Sequence, residues 1–254
     1  MSDITRVLIT GTSRGIGKEL LKLYSHLGVQ VIAIDKVSDP DLVSINSSAV
    51  FQELDISNES AVENFVAFLA NNDIIPDVVI FNAAIHEVDN ELFIDYNLLR
   101  LVLEVNFFST LKFLSCLMPI LNKPTTFVFC SSGVIIFPNP SNLGYFLGKL
   151  AITRVFDLFS HRYANCGFRF KSVILGPIES DMLRDSRPPK NFVRFLRDMT
   201  TGTPYIAAQK IVKFVNSPFR RMYYRPLSAF VLWSARLVQA LLPASYKAYN
   251  VKHH

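Results

Sequence analysis

Three glycines fall within the seven residues from Gly11 to Gly17, in the run Thr10-Gly11-Thr12-Ser13-Arg14-Gly15-Ile16-Gly17, between a short apolar segment and an amphipathic one. A strand that reverses so tightly into a helix needs backbone free of side chains, so this run predicts a βα unit with its turn at 10–17. The same rhythm of apolar runs and amphipathic stretches continues along most of the chain. Such alternation feeds a parallel sheet with helices on its faces.

The strands predicted in this way are 6–9, 29–34, 50–54, 78–81, 126–130 and 169–175. One helix runs from the glycine turn through Leu27 and is closed by Gly28; others cover about 96–121 and about 145–165. The expected fold is α/β: a Rossmann-type, doubly wound parallel sheet in a single domain over 1–216, with a C-terminal extension over 217–254. Pro188-Pro189 interrupts the pattern inside a basic stretch, and the region around 183–203 is expected to form a cover over a substrate.

Half of the 254 residues are apolar and 19% are charged, which excludes a disordered chain. Cys116, Cys130 and Cys166 are widely spaced, with no CxxC pair, and are expected to be reduced, buried and apolar in role. The first residues run into a strand without a charged-then-apolar leader, so a cytoplasmic location is expected. The formal charge of +5 gathers late in the chain, at Arg184, Arg187, Lys190, Arg194 and Arg197 and again at Arg220, Arg221 and Arg225. Solvated helix faces are its ordinary explanation; an anionic substrate tail and a membrane surface are the functional ones. No nucleic-acid motif accompanies it. In the tail, Leu227, Phe230, Val231, Leu237, Val238 and Leu241 recur at helical spacing around Arg236. That pattern fits a helix packed on the domain or on a partner, and also a peripheral amphipathic anchor.

The glycine turn can bring backbone amides and a helix dipole against a pyrophosphate. Asp35, at the end of the second predicted strand, is placed to accept hydrogen bonds from adenosine ribose hydroxyls and to repel a 2′-phosphate. This points to NAD over NADP, while the neighbouring Arg14 and Lys36 pull the other way. Tyr145 and Lys149 are four residues apart, about one helical turn, so their side chains share a face. A tyrosine's usual pKa near ~10 makes it a poor acid or base at neutral pH, and an adjacent ammonium is expected to lower it. Ser132 adds a hydroxyl for a carbonyl oxygen. Such a set can move a proton to or from an alcohol while a nicotinamide exchanges the hydride.

From about Ile4 to Val212 the chain resembles the single-domain ("classical") branch of the short-chain dehydrogenase/reductase family. Thr10-Gly11-xxx-Gly15-x-Gly17 resembles its TGxxxGxG turn, and the resemblance extends the cofactor contacts to Ser13, Arg14 and Ile16. Asp55-Ile56 resembles the pair that contacts adenine. Phe81-Asn82-Ala83-Ala84 stands where the family has NNAG, with Phe81 replacing an asparagine and Ala84 the glycine. Ser131-Ser132 and the Tyr145-Phe146-Leu147-Gly148-Lys149 run match the catalytic serine and YxxxK motif, and Asn106 matches the asparagine of the proton relay. Gly176-Pro177-Ile178-Glu179-Ser180 resembles the segment holding the nicotinamide amide. The resemblance implies Tyr145 as acid/base, Lys149 as ribose-binding group and pKa modulator, Ser132 as carbonyl polariser and Asn106 as relay. It also implies a small carbonyl or alcohol substrate and a homodimer or homotetramer built through the helices holding Asn106 and Tyr145.

Each of these residues also has an ordinary explanation: a turn serine, a buried helix asparagine, a surface tyrosine–lysine pair. Their joint order and spacing favour the catalytic reading. The rival from another class is a dinucleotide-binding sensor or scaffold without turnover, and such proteins commonly lose the tyrosine or lysine that this chain keeps. His86, His161, His253 and His254 have no neighbours at ligand spacing, so structural or exposed roles are expected and no metal is implied. An apolar, phenylalanine-rich cover with a basic rim, including Phe192 and Phe195, suits a lipophilic substrate with an anionic tail.

Overall fold

The computed structural model describes residues 4–37, 49–88, 93–136, 141–179 and 201–224. Seven strands form one sheet: β1 (Arg6–Thr10), β2 (Gln30–Asp35), β3 (Val50–Glu53), β4 (Val78–Phe81), β5 (Thr126–Ser132), β6 (Arg169–Leu175) and β7 (Arg221–Tyr223). Their order is β3-β2-β1-β4-β5-β6-β7, and every neighbouring pair is parallel. The chain builds outward from β1 to β3, then crosses back to place β4 on the other side of β1. The carboxyl ends of β1 and β4 therefore flank the crevice where such sheets bind ligands.

Among the described residues the α-helices are α1 (Gly15–His26), α2 (Glu59–Asn71), α3 (Tyr96–Leu103), α4 (Ser109–Leu117), α5 (Leu143–Arg162) and α6 (Pro204–Val215). Three start on side-chain caps that satisfy otherwise orphaned amides: Asn58 accepts from Ala61, Asp95 from Leu98 and Thr203 from Ile206. Gly28, at φ +73°, follows the end of α1 as expected.

The sheet is covered on both faces. On one, Leu20, Leu21 and Tyr24 of α1 share a cluster with Ala207, Ala208, Ile211 and Phe214 of α6. On the other, rings dominate: Phe156 of α5 meets Phe81, Phe129 and Phe170 at centroid distances of 6.2, 5.6 and 5.4 Å. The first residue of the expected NNAG motif is thus a core ring, buried beneath α4 and α5.

Lys171, on β6, is buried and donates from Nζ to the carbonyls of Phe214 and Val215 at 3.0 Å each, and to that of Ser217. It satisfies the orphan carbonyls at the end of α6 and ties that helix to the sheet. At the sheet edge, Arg221 pairs with Asp157 of α5, its Nε at 3.0 Å from Oδ1.

The structure differs from the sequence reading at several points. The domain limit expected at residue 216 is crossed by β7, which hydrogen-bonds into the same sheet. The long helix expected over 96–121 is broken by one π turn, Glu104–Phe108. Tyr96–Ile120 is long and apolar enough to cross a membrane, with mean hydropathy 1.5 over an 18-residue window; here it packs against α2 and α5. Of the cysteines only Cys130 is buried, while Cys116 is half-buried and Cys166 exposed. The basic stretch 184–197, Phe192, Phe195 and the tail helix at 227–242 lie outside the described residues.

Candidate active site

The glycine turn leaves β1 at the crevice. Gly11 and Gly15 hold φ of +75° and +57°, a region costly for residues with a Cβ. A Cβ on Gly17 would lie 1.8 Å from the Gly11 carbonyl oxygen, so α1 can start this close to the strand only with glycine there. A Cβ on Gly15 would point into open space, leaving the mouth of the turn clear.

Asn82 laces the turn to the end of β4, since Nδ2 donates to Gly11 O at 2.9 Å and to Thr10 O at 3.2 Å. Thr10 Oγ1 accepts from the amides of Asn82 and Ala83, both at 3.1 Å. Ala84 follows directly, half-buried at the same edge. These contacts hold the turn and the end of β4 together as one cradle. Its clear mouth, close backbone and positive helix end fit a dinucleotide pyrophosphate.

Asp35 ends β2 beside this turn and accepts from Ser13 N at 2.9 Å and Ser13 Oγ at 2.8 Å. Arg14 is exposed at the same turn, and Ile16 packs inward on the α1 side of the core. After β3, Asp55 accepts from Ser57 N at 2.9 Å and from Ser57 Oγ at 2.7 Å, and Ile56 is buried. Partial burial works against the Asp55 charge, yet the Ser57 hydrogen bonds and nearby Lys36 hold its carboxyl below the ordinary range.

Ser132 ends β5, and its hydroxyl is near enough to the Tyr145 phenol of α5 to pull the phenol's pKa down. Lys149 follows one turn later, 2% exposed, donating from Nζ to Cys130 O at 2.8 Å. Its ammonium lies 4.8 Å from the Phe129 ring centre and 5.6 Å from that of Tyr145. The three groups are thus brought together as the spacing predicts. Their electrostatics differ from the sequence expectation. Burial pushes the Tyr145 phenol up to about 12, outweighing Ser132, and burial brings Lys149 down to about 8. The lysine is not among the groups that lower the Tyr145 phenol, and burial leaves the phenol high.

Asn106 sits in the π turn, where the widened backbone turns its side chain towards the loop after β4. Oδ1 accepts from Ile85 N at 2.9 Å and Nδ2 donates to Ile85 O at 2.8 Å, so the amide clamps that loop. Gly148 of α5 packs against this turn so closely that a Cβ there would stand 2.9 Å from Asn106 Cβ.

The next residue on the clamped loop, His86, lays its ring edge-on against Tyr145 with centroids 5.0 Å apart. Sequence reasoning placed His86 outside the site because it searched for metal-ligand spacing. Its position just past Asn82-Ala83-Ala84 was the signal available. Pro177 and Ile178 follow β6, and the segment is held by Gly202 N donating to Pro177 O at 3.0 Å and Glu179 N to Gly202 O at 2.9 Å. Ser180 lies outside the described residues.

A family model described as short chain dehydrogenase matches residues 5–191. A 1-hydroxy-2-glutathionyl-2-methyl-3-butene dehydrogenase of Rhodococcus sp. (strain AD45) is 23% identical over 217 residues, covering 84% of this chain and 92% of that one. A hydroxysteroid 11-beta-dehydrogenase 1-like protein of Xenopus tropicalis is 25% identical over 246 residues, covering 90% and 83%. Among solved structures, a 3-oxoacyl-[acyl-carrier protein] reductase from Brucella melitensis in complex with NAD superposes with a TM-score of 0.77 at 19% identity, covering 90% of this chain and 99% of that one. A short chain dehydrogenase from Burkholderia cenocepacia J2315 in complex with NADP gives 0.76 at 22% identity, covering 94% and 98%.

Proposed function

The chain belongs to the short-chain dehydrogenase/reductase family, and from that premise we propose that it interconverts a secondary alcohol and a ketone, with NAD(H) as the redox partner. The observation carrying this reading is the convergence of Ser132, at the end of β5, with Tyr145 and buried Lys149, one helical turn apart on α5, beside the glycine cradle. When bound, the nicotinamide takes or supplies the hydride.

In the ketone-to-alcohol direction, Tyr145 gives its phenolic proton to the substrate oxygen while Ser132 holds that oxygen by a hydrogen bond. Burial keeps the phenol protonated until it is used. In the reverse direction, the phenol must first lose its proton, and positive charge gathered near Lys149 favours that loss. Lys149 holds the ribose, and Asn106 keeps the loop after β4 in place through Ile85. Gly11, Ser13, Arg14, Gly15, Ile16 and Gly17 would line the pyrophosphate, and Asp55, Ile56, Asn82, Ala83 and Ala84 the adenosine side. Pro177, Ile178 and Ser180 would meet the nicotinamide amide.

Asp35 supports NAD over NADP. Ser13 holds its carboxylate at the end of β2, where a 2′-phosphate would meet negative charge. For substrate, the late basic stretch and phenylalanines favour a lipophilic carbonyl compound with an anionic tail, a class near the hydroxysteroid and 3-oxoacyl groups in the relatives' names. For assembly, exposed Leu101, Phe108 and Leu158, each more than half exposed on the helices beside Asn106 and Tyr145, support a homodimer or homotetramer. The test is a screen of ketones and alcohols with NADH and NADPH, followed at the nicotinamide absorbance. Turnover by wild type that is lost in Tyr145→Phe supports the proposal, and turnover retained in that variant refutes it.

A further inference from the structure

α5 begins at Asn142 without a side-chain cap, so its first turn, which carries Tyr145, is steadied from outside the helix. Gly144 meets α3 there, where an added Cβ would stand 3.0 Å from Val102 Cβ. The second outside contact falls on Tyr145 itself: the edge of the half-buried His86 ring meets its ring, with centroids 5.0 Å apart and planes at 75°. Edge-on is a favourable arrangement for two aromatic rings. His86 has little freedom to leave it, because the Asn106 amide holds the preceding residue, Ile85, through both its backbone N–H and its C=O. Asn106 in turn lies against α5 at Gly148, about one turn beyond Tyr145. The contacts close a circuit from Asn106 through Ile85 and His86 to Tyr145, along α5 to Gly148, and back to Asn106. The phenol is one corner of it. Its hydroxyl has to meet a substrate oxygen, and a proton donor misplaced by ~1 Å loses rate steeply.

We propose that His86 is a positioning residue: the edge of its ring fixes the side-chain orientation of Tyr145, with the Asn106 clamp on Ile85 as its anchor. This deepens the oxidoreductase reading and rests on it. The role belongs to a flat ring at this place and not to the imidazole nitrogens, so phenylalanine should serve where alanine fails. His86 acts on the proton donor and does not hold substrate, so its loss reaches kcat and spares KM.

The test uses the full chain with NADH and any ketone that wild type reduces. His86→Ala should lower kcat by about 10–100-fold with KM for ketone and NADH within about twofold, and His86→Phe should recover most of the lost rate. Fluorine NMR of protein carrying fluorotyrosine gives a second readout, in which the line missing from Tyr145→Phe belongs to Tyr145. That line should be single and narrow in wild type and His86→Phe. In His86→Ala it should broaden or split while the other tyrosine lines stay in place, and Asn106→Ala, which releases the loop, should broaden or split it too. Equal losses of kcat in His86→Ala and His86→Phe would assign the role to the nitrogens and overturn the proposal. A raised KM at unchanged kcat, or turnover of His86→Ala within about twofold of wild type, would overturn it as well. Changes spread over all the tyrosine lines of His86→Ala would show His86 to hold the fold at large and would also overturn it. Each of these results leaves the oxidoreductase reading intact. Absence of wild-type turnover on every ketone screened would remove both.

Discussion

Replacing Gly148 with alanine tests whether the spacing between α5 and the π turn sets the active site. The added Cβ would stand 2.9 Å from Asn106 Cβ, with Asn106 C at 3.8 Å and Leu103 Cδ2 at 3.9 Å. Unstrained carbon atoms sit ~3.5–4.0 Å apart, so the helix and the turn must separate by about 0.6–1.1 Å. Overpacking of this kind costs ~1–3 kcal/mol. Alanine returns ~1 kcal/mol through its better helix propensity. The net expectation is a destabilisation of ~0–2 kcal/mol, or a fall in Tm of up to about 8 °C for a chain of this size. Activity should suffer more than stability. Tyr145 and Lys149 ride on the displaced helix and Asn106 on the turn it leaves, and a shift near ~1 Å can cost ~10²-fold in rate. Thermal melts and turnover on any ketone reduced by wild type measure both. A Gly148→Ala protein about 1 kcal/mol more stable than wild type, with turnover within twofold, would refute the reasoning, because helix propensity would then have outweighed a contact that sets nothing.

Tyr145→Phe should lower turnover by orders of magnitude and leave NADH binding nearly intact, as fluorescence titration can show. Because burial raises the Tyr145 phenol from 10.0 to about 12, the folded state keeps a proton that the unfolded chain has lost. Its contribution to stability is complete below about pH 10 and disappears as pH rises towards 12, so urea melts across that window should show a smaller loss in Tyr145→Phe than in wild type. Asp35→Ser should narrow the preference between NAD and NADP by removing charge repulsion. Calorimetry showing NADPH already the tighter ligand of wild type would contradict the role given to Asp35. Full-length protein and a variant ending before Pro226 should behave alike with anionic vesicles if the 227–242 segment packs on protein, and salt-sensitive sedimentation by the full chain alone would assign that segment to membranes.

The sheet was readable because parallel strands buried on both faces leave continuous apolar runs, as in 78–81 and 126–130. The Ser132, Tyr145 and Lys149 group was readable because one strand end and one helix turn bring it together. Strand β7 was not: Arg221, Met222 and Tyr223 form a short, partly exposed edge whose place depends on pairing with β6 and on Asp157, far away in sequence. The π turn was hidden because its apolar residues keep helical spacing, and only the pull of Ile85 on Asn106 reveals it. Charge balance was also hidden. Residue types announce a lysine beside a tyrosine, but the depth of burial, which sets the sign of the Tyr145 shift, belongs to the packed fold.

The position of β7 at the edge of the sheet has a consequence during synthesis. The ribosome delivers β6 well before Arg221–Tyr223, so the nascent chain displays an open parallel edge while Lys171 waits for the carbonyls of 214–217. Until α6 and β7 emerge, that edge is a template for another strand, and the Arg221–Asp157 pair is among the last contacts that vectorial folding can form. Slow translation through the 176–220 stretch would therefore lengthen exposure of the edge to misassembly, while truncation within it would leave a product with most of its nucleotide cradle and an unfinished sheet.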